Sequence, residues 1–161
     1  MAESKIKYAT AAALTWTPES LANGSYDASA AVDNTSNLYA DVLVGGKITT
    51  GASPSSGGVL TIYAYGSWDG TNYTAGVSGS DGGTPNAGEE SLIQLYRVAT
   101  IVVDATSNHT YEWGPVSLAQ VFGGVMPPKW GLVVYNGSGV ALNATGGNHE
   151  TKYTGVTYTT A

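Results

Sequence analysis

Two stretches of this chain alternate with a period of two, and glycine-rich turns follow both. In Leu38–Thr49, the residues Leu38, Ala40, Val42, Val44, Gly46 and Ile48 fall on one side. Tyr39, Asp41, Leu43, Gly45 and Lys47 fall on the other. Val59–Tyr65 repeats the pattern, with Leu60, Ile62 and Ala64 set against Thr61, Tyr63 and Tyr65. A helix mixes such sets, whereas a strand sends them to opposite faces. The apolar set of each strand therefore faces a core. The Thr61, Tyr63 and Tyr65 face is either an interface or a solvated face.

The rest of the chain uses the same vocabulary. Strands are expected at Ala11–Thr17, Ser25–Val32, Thr110–Trp113, Trp130–Tyr135, Val140–Asn143 and Thr151–Thr160. Ser91–Val103 is apolar on both faces, which predicts a central strand covered on both sides. Asp69-Gly70 and Asn136-Gly137 are hairpin signals. One helical turn is expected within Val116–Phe122, ahead of Pro127-Pro128. About eight strands with steady turn signals predict a single-domain antiparallel β-sandwich, jelly-roll-like, over residues 11–161. Residues 1–10 carry charge and read as a flexible N-terminal arm. Residues 75–90 read as one long surface loop.

Composition narrows the function. Only 11% of residues are charged, so the surface is made of Ser, Thr, Asn and Gly. Such a surface costs less to desolvate than a Lys/Glu surface and suits broad docking. The net charge of −6 and six scattered Lys and Arg argue against nucleic-acid binding and against an electrostatic membrane anchor. The absence of cysteine excludes disulfides, thiolate metal sites and cysteine nucleophiles. No apolar run reaches membrane-spanning length and none resembles a signal peptide, so synthesis in a cytoplasm is expected.

No catalytic grouping stands out. His109 and His149 lie far apart in sequence without carboxylates at a known spacing. Glu89 and Glu90 are adjacent, so a strand would point them apart, and Glu112 is the one carboxylate worth testing as an acid. Asp33–Asn37 and Asp104–Asn108 offer oxygen ligands for calcium, but turn formation explains them better. No cofactor or metal is expected. Trp68 and Tyr73 flank a hairpin turn and are candidates for stacking on a sugar, in a carbohydrate-binding alternative.

Four stretches carry a resemblance. They are Val32-Asp33-Asn34, Leu38–Val42, Tyr65-Gly66-Ser67-Trp68-Asp69-Gly70-Thr71-Asn72-Tyr73, and Trp130-Gly131-Leu132-Val133-Val134-Tyr135-Asn136 with its continuation to Gly146. In this order the chain resembles the small decoration or cement proteins of tailed-phage capsids. That resemblance implies a β-sandwich without enzymatic activity on the virion's capsid surface. It implies the major capsid protein as partner and assembly as a homotrimer. A tail or baseplate protein is the alternative within the virion. On this reading Ile6 and Tyr8 belong to a docking arm, and Tyr63 and Tyr65 to a self-association face.

Overall fold

Leu60, Ile62 and Ala64 are fully buried in strand β6 (Val59–Ser67). They meet Val42, Val44 and Ile48 of β5 (Asp41–Thr49) and Trp130, Leu132 and Val134 of β9 (Lys129–Gly137). Period-two alternation thus builds the main core from both directions. The computed structural model describes residues 3–86, 88 and 92–160.

The remaining strands are β1 (Ser4–Tyr8), β2 (Ala12–Ala13), β3 (Ser25–Ala28), β4 (Val32–Asp33), β7 (Tyr96–Val102), β8 (Thr110–Ser117) and β10 (Glu150–Thr160). All pairings are antiparallel. One sheet runs β1-β10-β5-β8, with β2 beside β10. The other runs β3-β9-β6-β7, with β4 beside β9. Setting aside the two-residue strands β2 and β4, the order is first-eighth-third-sixth and second-seventh-fourth-fifth. This is the jelly-roll order, in which two Greek keys close a sandwich. Among the described residues two short α-helical turns interrupt it, α1 (Asn34–Asn37) and α2 (Leu118–Val121). The Asp33 and Ser117 side chains cap them, accepting from the amides of Thr35 and Gln120.

A third layer covers half of the β3-β9-β6-β7 sheet. The segment after β6 crosses its outer face and buries Ala75, Val77 and Leu95 on Ala28, Tyr65 and Val133. Backbone bonds from Ala28 to Gly83 (2.7 Å) and from Ala31 to Gly79 (2.9 Å) tie it down. Asp81 adds two bonds, accepting from the Thr17 amide and hydroxyl at 2.9 and 2.6 Å. The expected loop at 75–90 is therefore a packed cover, although Ala87, Glu89 and Glu90 lie outside the described residues.

Several expectations about the strands are corrected, and the one expected at Val140–Asn143 is only an isolated bridge between Leu142 and Thr50. The expected arm at residues 1–10 contains β1, whose Ser4–Tyr8 pairs with Val156–Thr160; Met1 and Ala2 lie outside the described residues. The Ile6 and Tyr8 set alternates with Lys5 and Lys7, so the strand pattern was present but carried charge on one face. The strand expected at Ser91–Val103 is central in neither sheet. β7 begins at Tyr96 and forms an edge, because Leu92 and Leu95 belong to the third layer; Ser91 lies outside the described residues. Asn136-Gly137 does not turn. It ends β9, and the buried Asn136 amide donates to the carbonyls of Leu21 and Val140 at 2.8 Å each.

Candidate interaction surfaces

β1 and β10 build an apolar patch on the outer face of the first sheet. Ile6 lies opposite Tyr158, and Tyr8 opposite Val156. Paired residues share a face. That face is the outer one, because Val156 also pairs with Asp41, the neighbour of core residue Val42. Ile6, Tyr8 and Tyr158 are 58%, 60% and 68% exposed. Side chains of this size standing together in water make this face a candidate contact surface. The two residues expected to dock are thus brought together. Their position is an edge strand, and Tyr158 joins them only through the β1–β10 register.

The same sheet carries a charge ladder. Lys47 lies opposite Glu112 on one side and Glu150 on the other. Lys152 bonds Glu150 at 2.7 Å. These groups rim a depression of 340 Å³ floored by Gly45, Gly46 and Gly114. Glu112 therefore gains a second carboxylate, two strands and about 10 Å away. A glycosidic acid needs a raised carboxyl. The Lys152 ammonium, with Lys47 behind it, instead holds Glu150 below the usual carboxylate range. The row is a set of opposite charges across three strands, with its one ion pair, Lys152 to Glu150, along β10.

The second sheet gathers tyrosines. Tyr26 and Tyr135 are cross-strand partners with ring centroids 4.8 Å apart. Tyr63 stands on the same face and, after desolvation, contributes to raising the Tyr26 phenol above its ordinary value. Tyr63 keeps part of its surface in solvent. Tyr65 does not, and its assignment to a self-association face is corrected. It is fully buried under the third layer, and its hydroxyl donates to the Ser29 carbonyl at 2.6 Å. Burial drives its phenol far above the ordinary value. Gly131 admits the ring, since a Cβ there would lie 2.4 Å from it.

Trp68 and Tyr73 do not form a pair of exposed rings. Trp68 is 80% exposed. Tyr73 turns inward onto Tyr65, edge to face at 5.6 Å, because the third layer needs an apolar floor there. Trp68 instead neighbours Tyr96, Phe122, Val125 and Pro127 around a 180 Å³ groove. The sequence carried no local sign of this grouping.

The two histidines do not meet as a catalytic pair. The Nδ1 of His109 lies 3.2 Å from Asp104, which also accepts from the Tyr111 hydroxyl at 2.9 Å and the Thr106 amide at 2.8 Å. These contacts, led by the Thr106 amide, hold the Asp104 carboxyl far below its ordinary range. His149 lies 2.9 Å from the Asn143 carbonyl. Asp33 likewise accepts from the Thr35 amide and hydroxyl at 2.8 and 2.6 Å. Both candidate calcium loops therefore use their leading carboxylates for turn bonds. Among the described residues no three His, Asp or Glu side chains come together to hold a metal ion. No described helix is long and apolar enough to cross a membrane.

The chain matches no protein-family model and no curated protein in sequence.

Proposed function

We propose that this chain is a tailed-phage virion structural protein, a capsid decoration or cement protein. It binds between major capsid protein subunits and stabilises the shell. The observation that carries the binding role is the apolar patch of Ile6, Tyr8 and Tyr158 on a sheet edge. The virion assignment rests on the resemblance of the Tyr65–Tyr73 and Trp130–Asn136 stretches. The jelly roll is compatible with it, since viral capsid domains use this architecture, but a fold alone names no function.

The physics of cementing follows from linkage. A protein that binds the mature shell and not the dissociated subunits stabilises the shell by mass action. Each exposed ring that leaves water adds roughly 25 cal/mol per Å². The partner is the major capsid protein, the assembly is a homotrimer with the tyrosine face as its candidate contact, and the location is the capsid surface after synthesis in the host cytoplasm.

Quantitative mass spectrometry of purified virions tests this reading. A copy number comparable to that of the major capsid protein supports a cement role. A copy number of a few per particle moves the chain to the tail or baseplate. Absence from the particle rejects the virion reading.

A further inference from the structure

Ile62, Ala64 and Gly66 are successive inward positions of β6, and Trp68 continues the series past the strand's last residue. The core ends there. A Cβ on Gly66 would lie 2.9 Å from Pro127 and 3.2 Å from Phe122, so the missing side chain lets both close against the strand. Phe122 in turn holds Tyr96 edge to face at 5.1 Å. A groove of 180 Å³ remains at the rim of the sandwich, walled by Trp68, Tyr96 and Val125. These walls are 80%, 42% and 76% exposed, so three large apolar side chains face water around one opening.

We propose that this groove binds a neutral sugar ring, stacked on the indole of Trp68. Its lining residues carry no charge, so a neutral ligand complements it. Its volume holds one ring-sized group. An indole face fits the C–H face of a pyranose. Hydroxyls of Thr74 and Tyr96 stand beside the apolar walls, while that of the buried Ser67 donates to Asp69 at 3.0 Å. Thr74 accepts from the Gly66 amide at 3.1 Å and keeps its own hydrogen to donate. An aliphatic side chain from a protein partner would fill the same space but leave the Thr74 hydrogen without an acceptor. The proposal is independent of the virion reading, because the groove lies on the end of the sandwich and shares no residue with the Ile6, Tyr8 and Tyr158 patch.

Trp68 is the most exposed of the four tryptophans, with Trp16 half-buried and Trp113 and Trp130 buried, so acrylamide quenching of the intact chain reports chiefly on it, and Trp68→Ala gives the Trp16 background. The probes are neutral methyl glycosides of hexoses, deoxyhexoses and N-acetylhexosamines, with N-acetyl-leucinamide as the aliphatic control. At least one glycoside should protect Trp68 saturably. By calorimetry, Trp68→Ala should lower that affinity about tenfold or more, and Tyr96→Phe several-fold. Both variants should keep the wild-type melting temperature, since these side chains are exposed. Protection by no glycoside, sugar binding undiminished in Trp68→Ala, or protection by the leucine derivative alone would each overturn the proposal.

Discussion

The indole nitrogen of Trp16 donates to the carboxylate of Asp27 at 2.8 Å, and Asp27 is only 8% exposed. Burial, opposed by that hydrogen bond and aided by the nearby charges of Asp81 and Glu19, pushes the Asp27 carboxyl up to about 6. Its folded value thus lies above the unfolded value, so folding favours the protonated form. The stability from this group is intact below about pH 4 and is lost as pH rises to about 6. Asp27→Asn, which keeps an acceptor for Trp16, should remove this dependence. The variant should be more stable than wild type by about 1–2 kcal/mol at pH 7 and equal to it near pH 4, by urea denaturation at both pH values. An unchanged difference across that range would rule out the Asp27 account.

Tyr65 and Tyr63 are two residues apart, yet their hydroxyls should weigh differently. Tyr65→Phe leaves the buried Ser29 carbonyl short of a donor and should cost about 1–2 kcal/mol. Tyr63→Phe should cost well under about 0.5 kcal/mol, since its ring reaches solvent. Thermal melts of the two variants separate these outcomes. Equal losses would contradict the buried placement of Tyr65.

Gly46 is required by the approach of β10. An added Cβ would lie 2.1 Å from the Glu150 carbonyl oxygen and 2.9 Å from the Thr151 Cα, both backbone atoms that cannot turn away. Gly46→Ala should therefore destabilise the fold by about 1–3 kcal/mol. Gly147→Ala is the control, because nothing lies within 4 Å of its position. It should be neutral or slightly stabilising. Denaturation midpoints with an unchanged m-value would attribute the loss to the native state.

The apolar patch yields a binding prediction. Ile6→Ser combined with Tyr158→Ser removes two exposed, cross-strand partners. Melting temperature should stay within about 3 °C of wild type, as neither side chain is buried. Retention on phage shells, measured by co-sedimentation, should fall about tenfold or more. Full retention would move the docking surface elsewhere, with the tyrosine face as the next candidate.

Sequence reading reached the strands whose signals are local. Leu60, Ile62 and Ala64 announce a half-buried strand because alternation needs only neighbours in the chain. It failed where a distant segment decided the outcome. Tyr65 looked solvent-facing because nothing near it in sequence says that Ala75, Val77 and Leu95 return to cover it. The meeting of Tyr26 with Tyr135, and of Ile6 with Tyr158, depends on register between strands more than a hundred residues apart in sequence. Trp68 was singled out with Tyr73 as a stacking candidate, but its neighbours at the groove, Tyr96 and Val125, come from separate loops and strands. Glu112 drew attention as a candidate acid, while the residue it lies opposite, Lys47, is set by the β5–β8 pairing.

The place of β10 has a consequence for how the molecule is made. This strand comes last in chain order, yet it lies between β1 and β5, and both need it as their hydrogen-bonding neighbour. A nascent chain can pair β6 with β9 before it, but the first sheet stays in separate pieces until residues 150–160 leave the ribosome. The Ile6 and Tyr158 patch then forms in a single late step. A chain that has not yet made β10 therefore lacks the paired face of Ile6 and Tyr158.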